Sequence, residues 1–513
     1  MGLAAAGLGW RGSALAGVVP EPTPPMLAEP GTAFMPSVVD DIARKLASGP
    51  YEGPSTELPE SLQNLEYVQY RDIYFRPDSA VWKGGNLPFL VEFFHRGFYF
   101  KEKIDVAIVD GGTARHVVYE PRLFGFGKLV PRPLPTEDIG FAGMRLATRL
   151  GRDDDNFGEF LVFQGASYFR SLGIGETYGI SARGLAVKTA SPDGEEFPLF
   201  REFWIEEPKP ESTEIVVHAL LDSPSVAGAY RFDVSPRDGT LVAVDASLFF
   251  RSDVSQVGIA PLTSMYFFGP NDRQGVDDYR GSVHDSDGLS IWRATGESLW
   301  RPLANPRELR ISVFADDNPR GFGLLQRARD FASYGDLGAR FERHPNLWVE
   351  PKGAWGAGSV RLIEIPIQDE THDNIVAFWT PQEPVKAGHE LRVAYSLLWS
   401  LQPPLETGLM PVLTTRIGLG GEPGGDRPAD LRRVVIEFGP PGPNVNREQM
   451  PEVVIECHNG ECSPSVLRTN DVSGGFQVAF DARLGGEPVE LRCYLAQDGK
   501  PVSETWLYRL DNT

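Results

Sequence analysis

Residues 230–250, YRFDVSPRDGTLVAVDASLFF, hold two strand-like runs around Pro236-Arg237-Asp238-Gly239. A turn of that composition between β-rich runs predicts a hairpin, and a chain built from such units cannot be mainly helical. Similar punctuation recurs throughout, with 55 Gly and 43 Pro favouring short strands over long helices. EIVVHALL at 214–221 reads as a strand. ELRVAYSLLW at 390–399 sets Leu391, Val393, Tyr395 and Leu397 against Arg392 and Ser396, the alternation of a half-buried strand. One helix is predicted, in PSVVDDIARKLASGPY, where Val38, Val39, Ile42, Ala43 and Leu46 follow helical spacing. Ser37 is its expected cap and Gly49-Pro50 its stop. The fold class expected is all-β.

The chain has 513 residues, enough for more than one domain, and 41% hydrophobic content supports a large core. SLQPPLETG at 400–408 reads as a linker and GLGGEPGGDRPAD at 418–430 as a loop. Beyond them, strand-like segments at 434–438, 452–457, 476–480, 489–495 and 503–510 suggest an immunoglobulin-like β-sandwich, the last two joined at Gln497-Asp498-Gly499. The expected division is therefore 1–34 leader and disordered spacer, 35–400 a large β-sandwich, 401–410 linker and 411–513 the smaller sandwich. Residues 1–34 combine an Ala/Gly/Leu-rich run with a Pro-rich spacer, as an export signal would, although Arg11 is the one charged residue among the first 20.

Net charge is −21, and no more than two basic residues are adjacent, so nucleic acid is not an expected partner. No G-x-x-x-x-G-K-[ST] loop and no H-E-x-x-H motif is present, and GISARG at 179–184 misses the G-x-S-x-G elbow by one residue. All three cysteines lie near the C-terminus. Cys457 and Cys462 bracket CHNGEC, which reads either as a hairpin tip closed by a disulfide or, with His458, as a zinc site of poor spacing.

Two acidic stretches carry the chemistry. GSVHDSDGLSIW (281–292) packs His284, Asp285 and Asp287 together, and IPIQDETHDNIVAFW (365–379) adds Asp369, Glu370 and Asp373. The first stretch fails as a calcium loop, because Gly288 arrives two residues early and Gly296 stands where the closing Glu is needed. No metal or other cofactor is expected. Glycoside hydrolysis needs one carboxylic acid and one carboxylate, and each stretch offers acids at a strand–loop junction near tryptophan: Trp292 and Trp300 for the first, Trp355 and Trp379 for the second. The same acids could instead cap turns, and the tryptophans could instead be core.

Several long motifs bear a close resemblance to a known family. They are LTSMYFFGPNDRQGVDDYRGSVHDSDGLSIWRATGESLWRPLANP, NPRGFGLLQRARDF, PKGAWGAGSVRLIEIPIQDETHDNIVAFWTP and GASYFRSLGIGETYGISARGLAVKTASPDGEEFPLFREFWIEEPKP. They resemble the glucan biosynthesis protein G and D family of Gram-negative bacteria, from about residue 40 to 379 and more weakly to SETWLYRL. The resemblance implies a galactose-mutarotase-like N-terminal sandwich, an immunoglobulin-like C-terminal domain, and export to the periplasm to act on osmoregulated glucan. Members of known activity resemble endo-acting, inverting β-1,2-glucanases. On that pattern Asp373 of DETxDN is the general acid, acting through a substrate hydroxyl, and Asp285 of HDS[DN]G is the general base, acting through water. His372 stands where some relatives carry Asn, and Asp287, which relatives replace by Asn, is expected to shape the turn. An acid of this kind needs a raised pKa, expected here from burial and from Glu370 or Asp369. Glu370, Tyr178, Arg183, Tyr266, Trp292 and Trp355 are the expected substrate contacts, with an ion pair to a nearby arginine as the alternative for Glu370. β-Glucan is the expected ligand. A transglycosylase or a non-catalytic glucan-binding protein on the same scaffold are the rival readings, and a membrane glucan synthase and a second copy of the chain are the expected protein partners.

Overall fold

The hairpin forms from Val226–Pro236 and Thr240–Phe250, in register from Val226 opposite Phe250 to Pro236 opposite Thr240. In the tight loop Arg237 N donates to Gly239 O at 2.7 Å. This computed structural model describes residues 23–150, 156–402, 407–425, 427–443 and 445–511. The hairpin sits centrally in a 16-stranded sheet. On one side lie Ile215–Asp222, Leu199–Glu206 and Asp105–Asp110; on the other lie Glu390–Ser400, Asn346–Lys352, Gly321–Leu325, Gly288–Trp292 and Ser298–Pro302. A second, 10-stranded sheet runs from Arg310–Asp317 through Ala357–Glu364, Ile375–Pro381, Val257–Ser264, Ser181–Arg183 and Tyr168–Ser171 to Gly158–Gln164, Gly143–Thr148 and Phe89–Phe94. One continuous core joins the two sheets, with Phe203, Val217, Phe232 and Val244 from the first meeting Phe163, Leu262, Leu362 and Ala377 from the second. The protein is all-β, a sandwich, as its alternating runs require.

The predicted helix spans Ser37–Ala47 and lies on the outer face of the large sheet, burying Val39 and Ala43 beside Trp204, Ala227 and Phe249. Ser37 is its first residue and not its cap. Pro36 occupies the cap position with no side-chain cap bond, and proline suits a helix start because the missing N–H would have no partner there. Residues 1–22 of the expected leader lie outside the described residues. Residues 23–34 lie against the protein: Leu27 bridges Val117, Thr32–Ala33 pairs with Ala114 and Thr113, and Phe34 is buried in the helix core. Among the described residues no helix is long and apolar enough to cross a membrane.

All five strand-like segments after residue 430 are strands. Val489–Gln497 pairs antiparallel with Thr505–Leu510, and the turn places Asp498 and Gly499 at φ 50° and 71°. A five-stranded sheet containing Val412–Leu419, Leu431–Phe438 and Gly475–Arg483 closes a second core over these strands. That core also takes in Trp300, Leu325 and Trp348. The two parts are stitched into one sheet where Leu299 and Trp300 pair in parallel with Thr505 and Trp506. Of the expected linker, residues 403–406 lie outside the described residues. CHNGEC is not a hairpin tip. Cys457 ends in the large sheet while Cys462 pairs opposite Ala482 in the five-stranded one, so the segment crosses between sheets, and all three cysteines are free thiols.

Glu504 locks this junction. Its buried carboxylate accepts from Arg327 Nη1 at 2.7 Å, from Arg327 Nη2 at 2.8 Å and from Val412 N at 2.7 Å, while the Arg327 guanidinium sits 3.5 Å over the Trp300 ring. Removing one partner strands a buried charge. Glu504→Ala is expected to cost about 3 kcal/mol in chemical denaturation, and the paired apolar variant Arg327→Met/Glu504→Leu to recover most of it.

Candidate functional site

The two acidic stretches meet across one piece of backbone, Met265–Tyr266. Asp285 N donates to Met265 O at 2.8 Å. From the other stretch, the buried Asn374 accepts from Tyr266 N through Oδ1 at 2.8 Å and donates through Nδ2 to Tyr266 O and Ile365 O, each at 3.0 Å. An amide is the one uncharged side-chain group that both accepts and donates in this way, so Asn374 satisfies three buried backbone groups at once. Ser264 Oγ and Ser286 Oγ, 2.7 Å apart, add a third link. The site therefore sits where adjacent strands of the 10-stranded sheet end: Ser181–Arg183, Val257–Ser264 and Ile375–Pro381.

The acids of the two stretches divide by what they bind. Asp287 accepts from the backbone N–H groups of Arg327 and of Ala328, the latter at 3.0 Å, and so shapes the turn as expected. Asp369 is exposed and accepts from the Thr371 hydroxyl and from Thr371 N, the latter at 2.9 Å, which together hold its carboxyl below the usual range. Glu370 is bonded to Arg280 at 2.5 and 3.0 Å, and the same guanidinium reaches Asp278 and Asp336, tying three loops together. This is the ion pair foreseen as the alternative for Glu370. Asp373 differs from all of these: among the described residues it has no hydrogen-bond or ion-pair partner. Burial, and then the charge of Asp285, push its carboxyl up to about 7, against the opposing pull of Arg183 and Arg170. Asp285, rather than Glu370 or Asp369, is the neighbouring charge responsible.

Asp285 is 7% exposed, and its Oδ1 lies 2.9 Å from His344 Nδ1. His344 Nε2 lies 3.1 Å from the Ala339 carbonyl, so both ring nitrogens face oxygen acceptors and the ring is fixed in plane. Gly179 makes room for it: a Cβ there would stand 2.7 Å from His344 Nδ1. His344 was not singled out by sequence, since a lone histidine 59 residues from its partner has no local signature. His284, prominent in the sequence, is instead fully buried, with Nδ1 2.9 Å from Gln326 Oε1 and its ring stacked on Tyr266. Burial lowers its pKa. His372 is exposed and bonds only Thr371, its neighbour in the chain, at 2.9 Å, beside a longer contact to Asp369.

Arg183 comes to the site. It is buried, donates to Thr263 Oγ1 at 3.0 Å and to Glu195 at 2.6 Å, and stands 4.6 Å over the ring of Tyr168. Tyr168 had no sequence signal beyond its type. It pairs across the sheet with Arg183, and its hydroxyl is pushed up to about 12 chiefly by burial, with Asp373 adding to the rise. Tyr178 stands beside the site, its half-buried ring capped by Arg170 at 4.5 Å. Three expected sugar contacts pack against protein side chains. Tyr266 is 1% exposed and offers no face to a ligand. Trp292 packs on the C-terminal core under Arg320. Trp355 packs against Trp379 and Tyr395. Trp379 is six residues beyond Asp373, a distance of about 20 Å along an extended strand.

Because folding favours the protonated form of Asp373, its contribution to stability is complete below about pH 4 and is lost as pH rises through about 7. Asp373→Asn imitates the protonated form. Thermal unfolding across pH should give equal stability at pH 4 and a gain for the variant that grows to the order of 2 kcal/mol by pH 8.

Comparisons with known proteins cover nearly the whole chain. The family model described as "Periplasmic glucan biosynthesis protein, MdoG" matches residues 34–510. Glucans biosynthesis protein G of Vibrio cholerae serotype O1 is 50% identical over 479 residues, covering 93% of this chain and 87% of that protein. The proteins of the same name from Shewanella sp. (strain W3-18-1) and Shewanella baltica (strain OS195) are 48% and 46% identical, covering 93% and 96% of this chain and 87% and 92% of those proteins. This chain belongs to the periplasmic glucan biosynthesis family.

Proposed function

We propose that the protein is an endo-acting, inverting β-1,2-glucan hydrolase that trims glucan backbone in the periplasm during glucan synthesis. The observation that carries this reading is Asp373, a partly buried carboxyl with no hydrogen-bond or ion-pair partner among the described residues, held near 7 by burial and by Asp285. Turn-capping does not account for it, because Asp287, Asp369 and Glu370 already occupy the structural roles around it. A group that keeps its proton near neutral pH beside a second carboxylate fits the acid and base of glycoside hydrolysis.

In this reading Asp373 delivers its proton, through a hydroxyl of the bound sugar, to the glycosidic oxygen as the bond to C1 breaks. A water forms the new bond to C1 on the opposite face and gives its proton to Asp285, which His344 holds in place. One water is consumed, one reducing end appears, and the two carboxyls regain their starting states by exchange with solvent. Arg183 and Arg170 bias Asp373 toward its ionised form, which eases the release of the proton.

Purified protein incubated with linear β-1,2-glucan should release reducing ends. Asp373→Asn and Asp285→Asn should each lower the rate by 10²–10⁴-fold, the range of a lost general acid or base. The kcat/KM should fall as pH rises above about 7, where Asp373 loses its proton. Cyclic or transferred products without reducing ends would assign transglycosylation, and tight binding without turnover would assign a non-catalytic role. Parallel assays on β-1,3- and β-1,6-glucans test the linkage.

A further inference from the structure

One guanidinium beside the site has every donor in use. Arg280 lies on the loop between strands Tyr266–Phe268 and Val283–His284, five residues before Asp285. Its Nε and Nη2 donate to Asp278 at 3.0 and 2.8 Å, which pins the side chain to its own loop. Nη1 and Nη2 donate to Glu370 at 3.0 and 2.5 Å, and Nη1 donates again to Asp336 at 3.1 Å. A guanidinium has five N–H groups, so none is left over to bind a sugar. Half-exposed ion pairs add little stability one at a time, whereas two planar forks on one group fix where its neighbours stand.

The two carboxylates reached across loops belong to opposite halves of the site. Glu370 stands three residues before Asp373, in the loop between Ala357–Glu364 and Ile375–Pro381. Asp336 governs the Asp285 side. Its Oδ1 accepts from Gly338 N at 2.8 Å and from Ala339 N at 2.9 Å, and the Ala339 carbonyl lies 3.1 Å from His344 Nε2. His344 Nδ1 in turn meets Asp285 Oδ1 at 2.9 Å. We propose that Arg280 is a positioning residue, holding the loop that carries Asp373 and the loop that orients Asp285 at one separation. The proposal rests on the glucan-hydrolase reading above. Inversion needs a fixed gap between the two carboxyls, wide enough for a water, and a misplacement of about 1 Å can cost about 10²-fold in rate. Of the groups acting on Asp373, Arg183, Arg170 and Tyr168 stand on strands of the 10-stranded sheet, whereas Asp285 is placed through this clamp.

Steady-state assays on linear β-1,2-glucan with Arg280→Lys and Arg280→Met test this. Each should lower kcat by about 10²-fold with KM changed by less than about 3-fold, since Arg280 has no donor free for substrate. A lysine brings the charge without the fork, so it should not rescue the rate. The alkaline fall in kcat/KM should also move to lower pH, because Asp285, set further off, raises the Asp373 pKa less. Glu370→Gln and Asp336→Asn should each reproduce part of the loss, and neither should add to it in Arg280→Met. These milder variants carry the test if the Arg280 variants fail to fold. A raised KM with unchanged kcat assigns Arg280 to sugar binding and overturns the proposal. So does a kcat that falls only with the folded fraction while the pH profile stays as in the wild type, and so do wild-type kinetics in Arg280→Lys. A wild type that releases no reducing ends overturns the hydrolase reading, and the positioning role falls with it.

Discussion

Everything at the site hangs on the Asn374 carboxamide. It holds the backbone of Tyr266 from both sides, and that backbone carries Asp285 through the Met265 carbonyl. Residues from two stretches nearly ninety positions apart are thereby set face to face without either carboxylate being used as glue. A carboxylate could accept from Tyr266 N but could not donate to its carbonyl. The amide's neutrality also matters electrically, since a charge at this buried position would add to the field acting on Asp373, its neighbour in sequence.

The structure around the carboxylates is a separation of duties among acids. Asp287, Asp369, Glu370, Asp278 and Asp336 spend their oxygens on backbone N–H groups, on the Thr371 hydroxyl, on His284 or on Arg280. Their pairing ties the loops together and leaves Asp373 without a partner among the described residues, in a partly desolvated position. Two cations, Arg183 and Arg170, are near enough to matter, yet each is anchored elsewhere, on Glu195 and over Tyr178 respectively. They temper the rise in the Asp373 pKa without neutralising it by direct contact. That balance is what separates a proton donor from an ordinary buried ion pair.

Period-two patterning and turn residues made the fold class legible: the 226–250 hairpin and the five later strands fall where alternation places them. The helix was legible too, but its cap was misassigned by one residue, because Ser37 is a good cap by type while Pro36 takes the position. Asp285 and Asp373 stood out through the motifs that carry the family resemblance. From spacing alone they were indistinguishable from the turn-forming acids beside them. What packs on Tyr266, Trp292 and Trp355 was not legible, because neither strand alternation nor a place in a loop shows whether the space beyond a ring is cleft or core. His344, Tyr168 and Asn374 were invisible for a related reason. Their roles come from partners tens to over a hundred residues away, as in the Asn374–Tyr266 bond across 108 positions.

The parallel pairing of Leu299 and Trp300 with Thr505 and Trp506 has a consequence for the order in which the molecule can be assembled. Thr505 Oγ1 bonds Glu297 across 208 positions of sequence. Until the strand Thr505–Leu510 has emerged, Ser298–Pro302 keeps a bare edge, with unpaired N–H and C=O groups and with Trp300 lacking its C-terminal cover. A chain delivered from its N-terminus therefore has an open sheet, at the very strands that follow the Asp285 turn, from residue 302 until residue 505 arrives. It is in this interval, and not in the finished fold, that edge-to-edge association is most available to it.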